Sequence, residues 1–396
     1  MMKNSRGLAL LALLLALCLG GVSCAQAAGL VRAGGSFGIA LDEQGGIWGW
    51  GDNASGQLGN GNNKRVYMPA PAAAGLDGTQ VSDIQCGNVS TLFLMKDGTV
   101  YTCGNNNYGQ QGFADAPSHV FEPAQIPGLS GIVKIACGFG QCLALDNQGR
   151  VWVWGRNSNG QLGTGDHKGV AEPVCLSLEK IVDVQCGGKF CMALDDEGAV
   201  WGFGDNEYGQ LGDVSRHKDV LSPVKLSVSG RFTQIACGGD VSFGVDADGA
   251  LWAWGRNDYW QLGTKEVRDQ TDEPVRVALP QDVRVTRVFA YNSHTSALTD
   301  TGALWTWGGV FHGQVGNGKR PWRGLPTEAC PASGVLDAAV GSLQSYILLE
   351  DGTVKGCGCN EYGQTGAFCK MRYYVPTWMN TGLNLASCAW SDPGND

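Results

Sequence analysis

The chain has 396 residues, a formal net charge of −9 and 61 glycines. The acidity argues against recognition of nucleic-acid phosphates. Hydrophobic residues at 43% allow a sizeable core, and glycine at about twice its ordinary frequency, with no collagen-like period, points to many tight turns and an all-β fold. In chain order, Lys3 and Arg6 precede an apolar run over residues 8–19 and the small-x-small triplet Ala25-Gln26-Ala27. This pattern predicts a signal peptide over 1–27, with 28–396 forming one domain. Removing Lys3 and Arg6 takes the charge from −9 to −11. The expected location is therefore extracellular, periplasmic or envelope-associated. No later apolar segment is long enough to cross a membrane.

From residue 30 onward a unit repeats. Residues 49–59 read GWGDNASGQLG, and the same motif returns as TCGNNNYGQQG, VWGRNSNGQLG, GFGDNEYGQLG, AWGRNDYWQLG, TWGGVFHGQVG and GCGCNEYGQTG. The anchoring glycines are Gly51, Gly104, Gly155, Gly204, Gly255, Gly308 and Gly358, spaced 53, 51, 49, 51, 53 and 50 residues apart. Upstream of each lie two more apolar or alternating runs, as in IVKIACG–CLALDNQGR–VWVWG, joined by hairpin tips such as Asp97-Gly98, Asp248-Gly249 and Asp351-Gly352. A fourth run follows the motif, often from a proline, as at Pro173 and Pro223. A lone four-stranded sheet cannot bury both faces, whereas seven stacked radially can, so the fold expected is a seven-bladed β-propeller. A phosphate-binding loop occurs once and opens a helix; this loop occurs seven times and leads into a strand, so its glycines are assigned to turns and packing. LNLASC, at 383–388, reads as an eighth copy of the first strand, LVRAGG at 30–35. The two chain ends are therefore expected side by side at the ring closure.

Seven copies of the loop, five of them reading G-x-N-x-x-G-Q-x-G in full, make the chain resemble the regulator of chromosome condensation repeat family over roughly residues 30–388. It reads as an exported, bacterial-type member. The founding nuclear member is a guanine-nucleotide exchange factor that docks on chromatin. In place of that member's basic tail stands the apolar leader, and the even spacing leaves no room for a nucleotide-displacing wedge. Exchange activity is thus the remotest alternative. Exported bacterial propellers of similar type include protein inhibitors of β-lactamases, which present a loop face to one protein partner. Resemblance to bacterial lipoproteins would make Cys24 a lipid anchor, although Gly21-Val22-Ser23 lacks the expected leucine.

Of fifteen cysteines, thirteen follow the leader. Cys86, Cys137, Cys186, Cys237 and Cys388 share one repeat position and read as small core residues. Cys142 and Cys191 lie five residues beyond two of them, where a cross-strand disulfide can form. Cys103 and Cys357 stand where other repeats have Trp50, Trp154, Trp254 or Trp307, so they also read as core. Cys359 and Cys369 are the candidate disulfide. No metal-ligand spacing, cofactor motif, clustered histidines or nucleophile elbow is present. Asp146, Asp195, Asp246, Asp300 and Asp351 read as turn formers. The expected function is accordingly non-enzymatic protein binding, with carbohydrate binding through exposed tryptophans as the alternative. The recurring tyrosines Tyr108, Tyr208, Tyr259 and Tyr362 read as scaffold. Aromatics that break the pattern are the partner-binding candidates: Trp260 where glycine is usual, Phe311 and His312 in the sixth loop, and Trp322, Tyr373 and Tyr374 beyond.

Overall fold

The computed structural model describes residues 29–212, 218–318, 323–329, 334–367 and 374–390. Their strands form seven antiparallel sheets, six of four strands and one of five. The seven-bladed propeller is therefore present, one blade per repeat. Blade 1 holds Leu30–Ala33, Phe37–Leu41, Ile47–Gly51 and Val66–Pro71. Its successors begin at Val81–Cys86, Ile132–Cys137, Ile181–Cys186, Phe232–Cys237, Val285–Ala290 and Val335–Val340. These first strands are innermost, and the seven hydrophobic clusters lie within and between successive blades. The fourth strands are outermost and carry the prolines, which an edge strand tolerates because one row of its N–H groups faces outward.

The repeated motif has a defined purpose in each blade. The anchoring glycines all adopt φ between 95° and 110°. At Gly51, Gly104, Gly204 and Gly358 a Cβ would lie 2.2–2.6 Å from a carbonyl oxygen of the loop joining the first two strands. Only glycine fits such a site. The motif asparagine clamps the loop: Asn157 Oδ1 accepts from Leu162 N–H while Nδ2 donates to the carbonyls of Asp166 and Lys168. The motif glutamine fastens blades together. Its side chain accepts from the N–H two residues back, and its carbonyl accepts from the next blade, as from Trp154 Nε1 to Gln110 and Trp254 Nε1 to Gln210. Trp50, Trp154, Trp254 and Trp307 are fully buried, and Cys103 and Cys357 occupy the same core position as expected.

One strand assignment is corrected. LNLASC does not form another first strand: Leu383 and Asn384 end the outer strand Tyr374–Asn384, and Cys388, at φ 52°, lies in the turn before the two-residue strand Ala389–Trp390. The ends nonetheless meet, with Leu383 and Leu385 packed into one cluster with Val31, Ala33 and Trp50.

Candidate functional site

In each blade the loop between the third and fourth strands emerges on the same face as the loop between the first and second. The glutamine rivet fixes its base in every blade, joined by the asparagine clamp in all but blade 6, where Val310 stands, and the two residues before the tip position, which is glycine in all but blade 5, project outward. These pairs are Ala54-Ser55, Asn107-Tyr108, Ser158-Asn159, Glu207-Tyr208, Asp258-Tyr259, Phe311-His312 and Glu361-Tyr362, and none is buried. The recurring tyrosines are thus surface residues rather than interior scaffold. Their backbone N–H serves the scaffold, by donating to the motif glutamine. The repeat register held this signal, since the pair lies between loop-fixing residues that recur in nearly every repeat while the pair itself varies, as a solvent-facing position can.

Each tip tyrosine is covered by a side chain from the neighbouring blade. Arg156 lies 5.0 Å over Tyr108, Arg256 4.7 Å over Tyr208, and Arg65 4.2 Å over Tyr362, while Phe311 meets Tyr259 edge-on at 6.4 Å. Arg256 is itself held by Asp258 at 2.7 Å and Asp240 at 3.2 Å. Burial pulls its guanidinium down, but the two carboxylates more than offset this and keep it above its ordinary value. Such stacks fix long side chains at modest energetic cost and present flat, amphipathic surface.

Trp260 adopts the left-handed φ of 61° that glycine holds at Gly56, Gly109, Gly160, Gly209, Gly313 and Gly363. Its ring is partly buried beneath Arg323 of blade 6, 4.3 Å away. Phe311 and His312 line a cleft of about 280 Å³ with Tyr259, Arg256 and Asp240. Phe311 and His312 of blade 6 thus share a cleft with Tyr259 of blade 5, while Trp260, the next residue, is not among the residues lining it and stacks on Arg323 instead. Tyr374 lies one blade further, partly buried and paired with Cys359. Trp322 and Tyr373 lie outside the described residues. Cys359 is buried with a free thiol, and Cys369 also lies outside the described residues.

The propeller axis holds a second polar site that the sequence reading missed. Arg32, Asp83, Lys134, Asp183, Arg287 and Asp337 point into a channel of about 490 Å³ or bond across its wall. Arg32 bonds Asp83 of blade 2 and Asp337 of blade 7, each at 2.9 Å; Arg287 bonds Asp337 at 3.0 Å, and Lys134 bonds Asp183. Burial pulls the Arg32 guanidinium down, and the two aspartates more than offset this. Burial also raises Asp183 above the usual carboxylate range. Three cations and three anions cancel, so this belt ties blades together and offers no excess charge to a ligand. Among the described residues, no group of three or more His, Cys, Asp or Glu side chains is arranged to hold a metal ion.

Comparison with known proteins matches these features to one family. The RCC1-like domain profile matches residues 76–391, and the regulator of chromosome condensation (RCC1) repeat matches 30–57 and 44–94. The ultraviolet-B receptor UVR8 of Arabidopsis thaliana is 33% identical over 374 residues, covering 91% of this chain and 72% of that protein. The E3 ubiquitin-protein ligase HERC2 of Homo sapiens is 32% identical over 292 residues, which is 73% of this chain but 5% of the ligase. Among solved structures, human WBSCR16 superposes with a TM-score of 0.70 at 27% identity, covering 78% of this chain and 83% of that one. Prp20p of Saccharomyces cerevisiae superposes with a TM-score of 0.77 at 23% identity, covering 89% of this chain and 87% of that one, a likeness of fold. With its profile spanning most of the chain and its repeat motif present in all seven blades, the protein belongs to the RCC1-like domain family.

Proposed function

We propose that this protein is an exported, non-enzymatic propeller that binds a protein partner through its loop face, centred on Trp260, Phe311 and His312, with Trp322, Tyr373 and Tyr374 as further candidates. One observation carries the reading: the outward tips bear aromatic rings already stacked by arginines or rings of neighbouring blades. Aromatic and arginine side chains are favoured as interface anchors, and side chains already held in place lose little entropy on binding. Export rests on the basic, apolar and small-x-small order of residues 1–27.

The test compares the wild-type mature chain with Trp260→Gly as bait against native envelope or culture-fluid proteins. Glycine suits the left-handed turn, so the melting temperature should hold or rise slightly: relief of about 1–2 kcal/mol of backbone strain outweighs loss of a ring–guanidinium contact worth about 0.5–1 kcal/mol. Partner affinity should fall by about 30-fold, equivalent to about 2 kcal/mol. Unchanged capture by the stable variant would place the interface elsewhere.

A further inference from the structure

The last residue of each first strand faces the second residue of the second strand. In this register the seven pairs are Ala33–Gly38, Cys86–Thr91, Cys137–Cys142, Cys186–Cys191, Cys237–Ser242, Ala290–Thr295 and Val340–Ser345. Only blades 3 and 4 place sulfur on both sides. Their thiols are free, with Sγ atoms 3.1 Å apart in Cys137–Cys142 and 3.5 Å apart in Cys186–Cys191. We propose that these two pairs are modification sites that take a disulfide-class oxidant and close into cross-strand disulfides in the channel wall.

The geometry supports this independently of the partner-binding reading. Gly138 N–H donates to Gln141 C=O, and Gly187 N–H to Phe190 C=O. The next pair in each hairpin is thus non-hydrogen-bonded, the kind that brings Cα atoms to about 4.5 Å, within the roughly 4.4–6.8 Å that a disulfide bridges. Access is asymmetric. Cys137 and Cys186 line the axial channel and are partly exposed, whereas Cys142 and Cys191 are buried behind them. In blade 3 the Cys137 thiolate attacks a sulfur of the oxidant's disulfide, forming a mixed disulfide and releasing one thiol. The Cys142 thiolate then attacks Cys137 Sγ, releasing the second thiol. One S–S bond is broken and one made; two protons and two electrons pass to the oxidant. Cys186 and Cys191 react in the same order. Burial pushes the Cys137 and Cys186 thiols well above their ordinary range, which makes exchange in the finished propeller slow and faster in alkali. The bonds therefore form chiefly as each short hairpin folds. In blade 3 Trp154 Nε1 keeps the Gln110 carbonyl paired when Cys142 no longer donates to it.

The test refolds the protein in a buffer of reduced and oxidised glutathione, blocks remaining thiols under denaturing conditions and digests with trypsin without reduction. Cys137 and Cys142 should share the peptide 135–150, about 2 Da light and unblocked. The peptides 181–189 and 190–216, separated at Lys189, should remain joined through Cys186 and Cys191, while Cys86 and Cys237 should be blocked. The paired variant Cys142→Ser and Cys191→Thr uses hydroxyls that other blades carry at this position. It should keep the reduced protein's melting temperature and lose the rise that oxidation gives the wild type. Complete blocking of all four cysteines after oxidative refolding, or sulfur linked instead between Cys86 and Cys137, would overturn the proposal, and the wild-type peptides decide this even if the variant folds poorly.

Discussion

His294 illustrates how one residue departs from its repeat and acquires a liability. It occupies the position of Gln141 and Gln344, whose side-chain amides donate to the carbonyls of Gly187 and Gly34 in the next blade. His294 is buried, with Nε2 2.9 Å from Ser345 Oγ. Burial lowers its pKa from 6.5 to about 3. The unfolded chain therefore binds a proton between these values that the folded one refuses, so the stabilising contribution is complete above about pH 6.5 and declines as pH falls toward 3. At pH 5 the loss is about 2 kcal/mol. His294→Gln should flatten the fall in denaturation midpoint between pH 7 and pH 5; an equally steep fall would assign the acid sensitivity to other groups. The glycines offer a second contrast. Gly204, at φ 105°, would place a Cβ 2.6 Å from the Lys189 carbonyl oxygen, while Gly75, at φ 78°, has nothing within 4 Å. Gly75→Ala should cost about 1–2 kcal/mol of backbone strain alone. Gly204→Ala should cost clearly more, because the clash is with backbone; equal denaturation midpoints would remove packing from the explanation of the repeat.

At the scale of the strand and hairpin, the most informative element is the turn between the second and third strands. In blade 5 Asp246 Oδ1 accepts from Asp248 and Ala250 N–H, and Oδ2 accepts from Trp252 Nε1 at 2.9 Å. Blades 1, 3 and 4 repeat this clip with Asp42, Asp146 and Asp195. Burial pushes the Asp246 carboxyl up, but the Trp252 and backbone donors hold it below its usual value. Asp246→Ala should cost about 1–3 kcal/mol by orphaning these donors, read as a lower denaturation midpoint with unchanged slope. Asp351 does not share the geometry; it accepts from Thr353 at the turn itself. Turn formation by aspartate was legible in the sequence, and so was nearly every strand, because a repeat of about fifty residues shows the same pattern seven times. What escaped reading were relations between blades. Arg32 lies two residues further along its strand than Asp83, as their register partners Ile39 and Leu94 show, so linear alignment does not pair them. The tyrosines read as interior scaffold because their backbone N–H groups are part of it, whereas their rings lie at the surface against side chains of the neighbouring blades.

For the whole molecule the question is what holds blade 7 to blade 1 without a shared strand. Every blade is a continuous piece of chain, so closure depends on side chains and a few backbone bonds. Ser342 N–H donates to Gly35 C=O at 3.1 Å, the counterpart of Gly35 N–H to Asn88 C=O between blades 1 and 2. Gln344 Nε2 donates to Gly34 C=O, and Arg32 bonds Asp337 while also reaching Asp83. These polar ties resemble those at other blade junctions. The closure differs in its apolar part: Leu383 and Leu385, from the last outer strand and the turn after it, are fully buried with Val31, Ala33, Trp50, Tyr346 and Leu348. The same turn is tied to blade 1 by Glu43 N–H donating to Leu385 C=O. Burying a leucine contributes about 1.5–3 kcal/mol, so deleting residues 383–396 should destabilise the protein by at least about 3–6 kcal/mol and lower its melting temperature by several degrees or more. The paired variant Leu383→Ala and Leu385→Ala isolates the contribution of these side chains from loss of the backbone, and should account for most of that fall. If the double variant melts with the wild type while the truncation does not, the backbone of the last turn rather than its leucines closes the ring; if both melt with the wild type, the polar ties between Arg32, Asp337, Gln344 and the glycine loops are sufficient to hold the propeller shut.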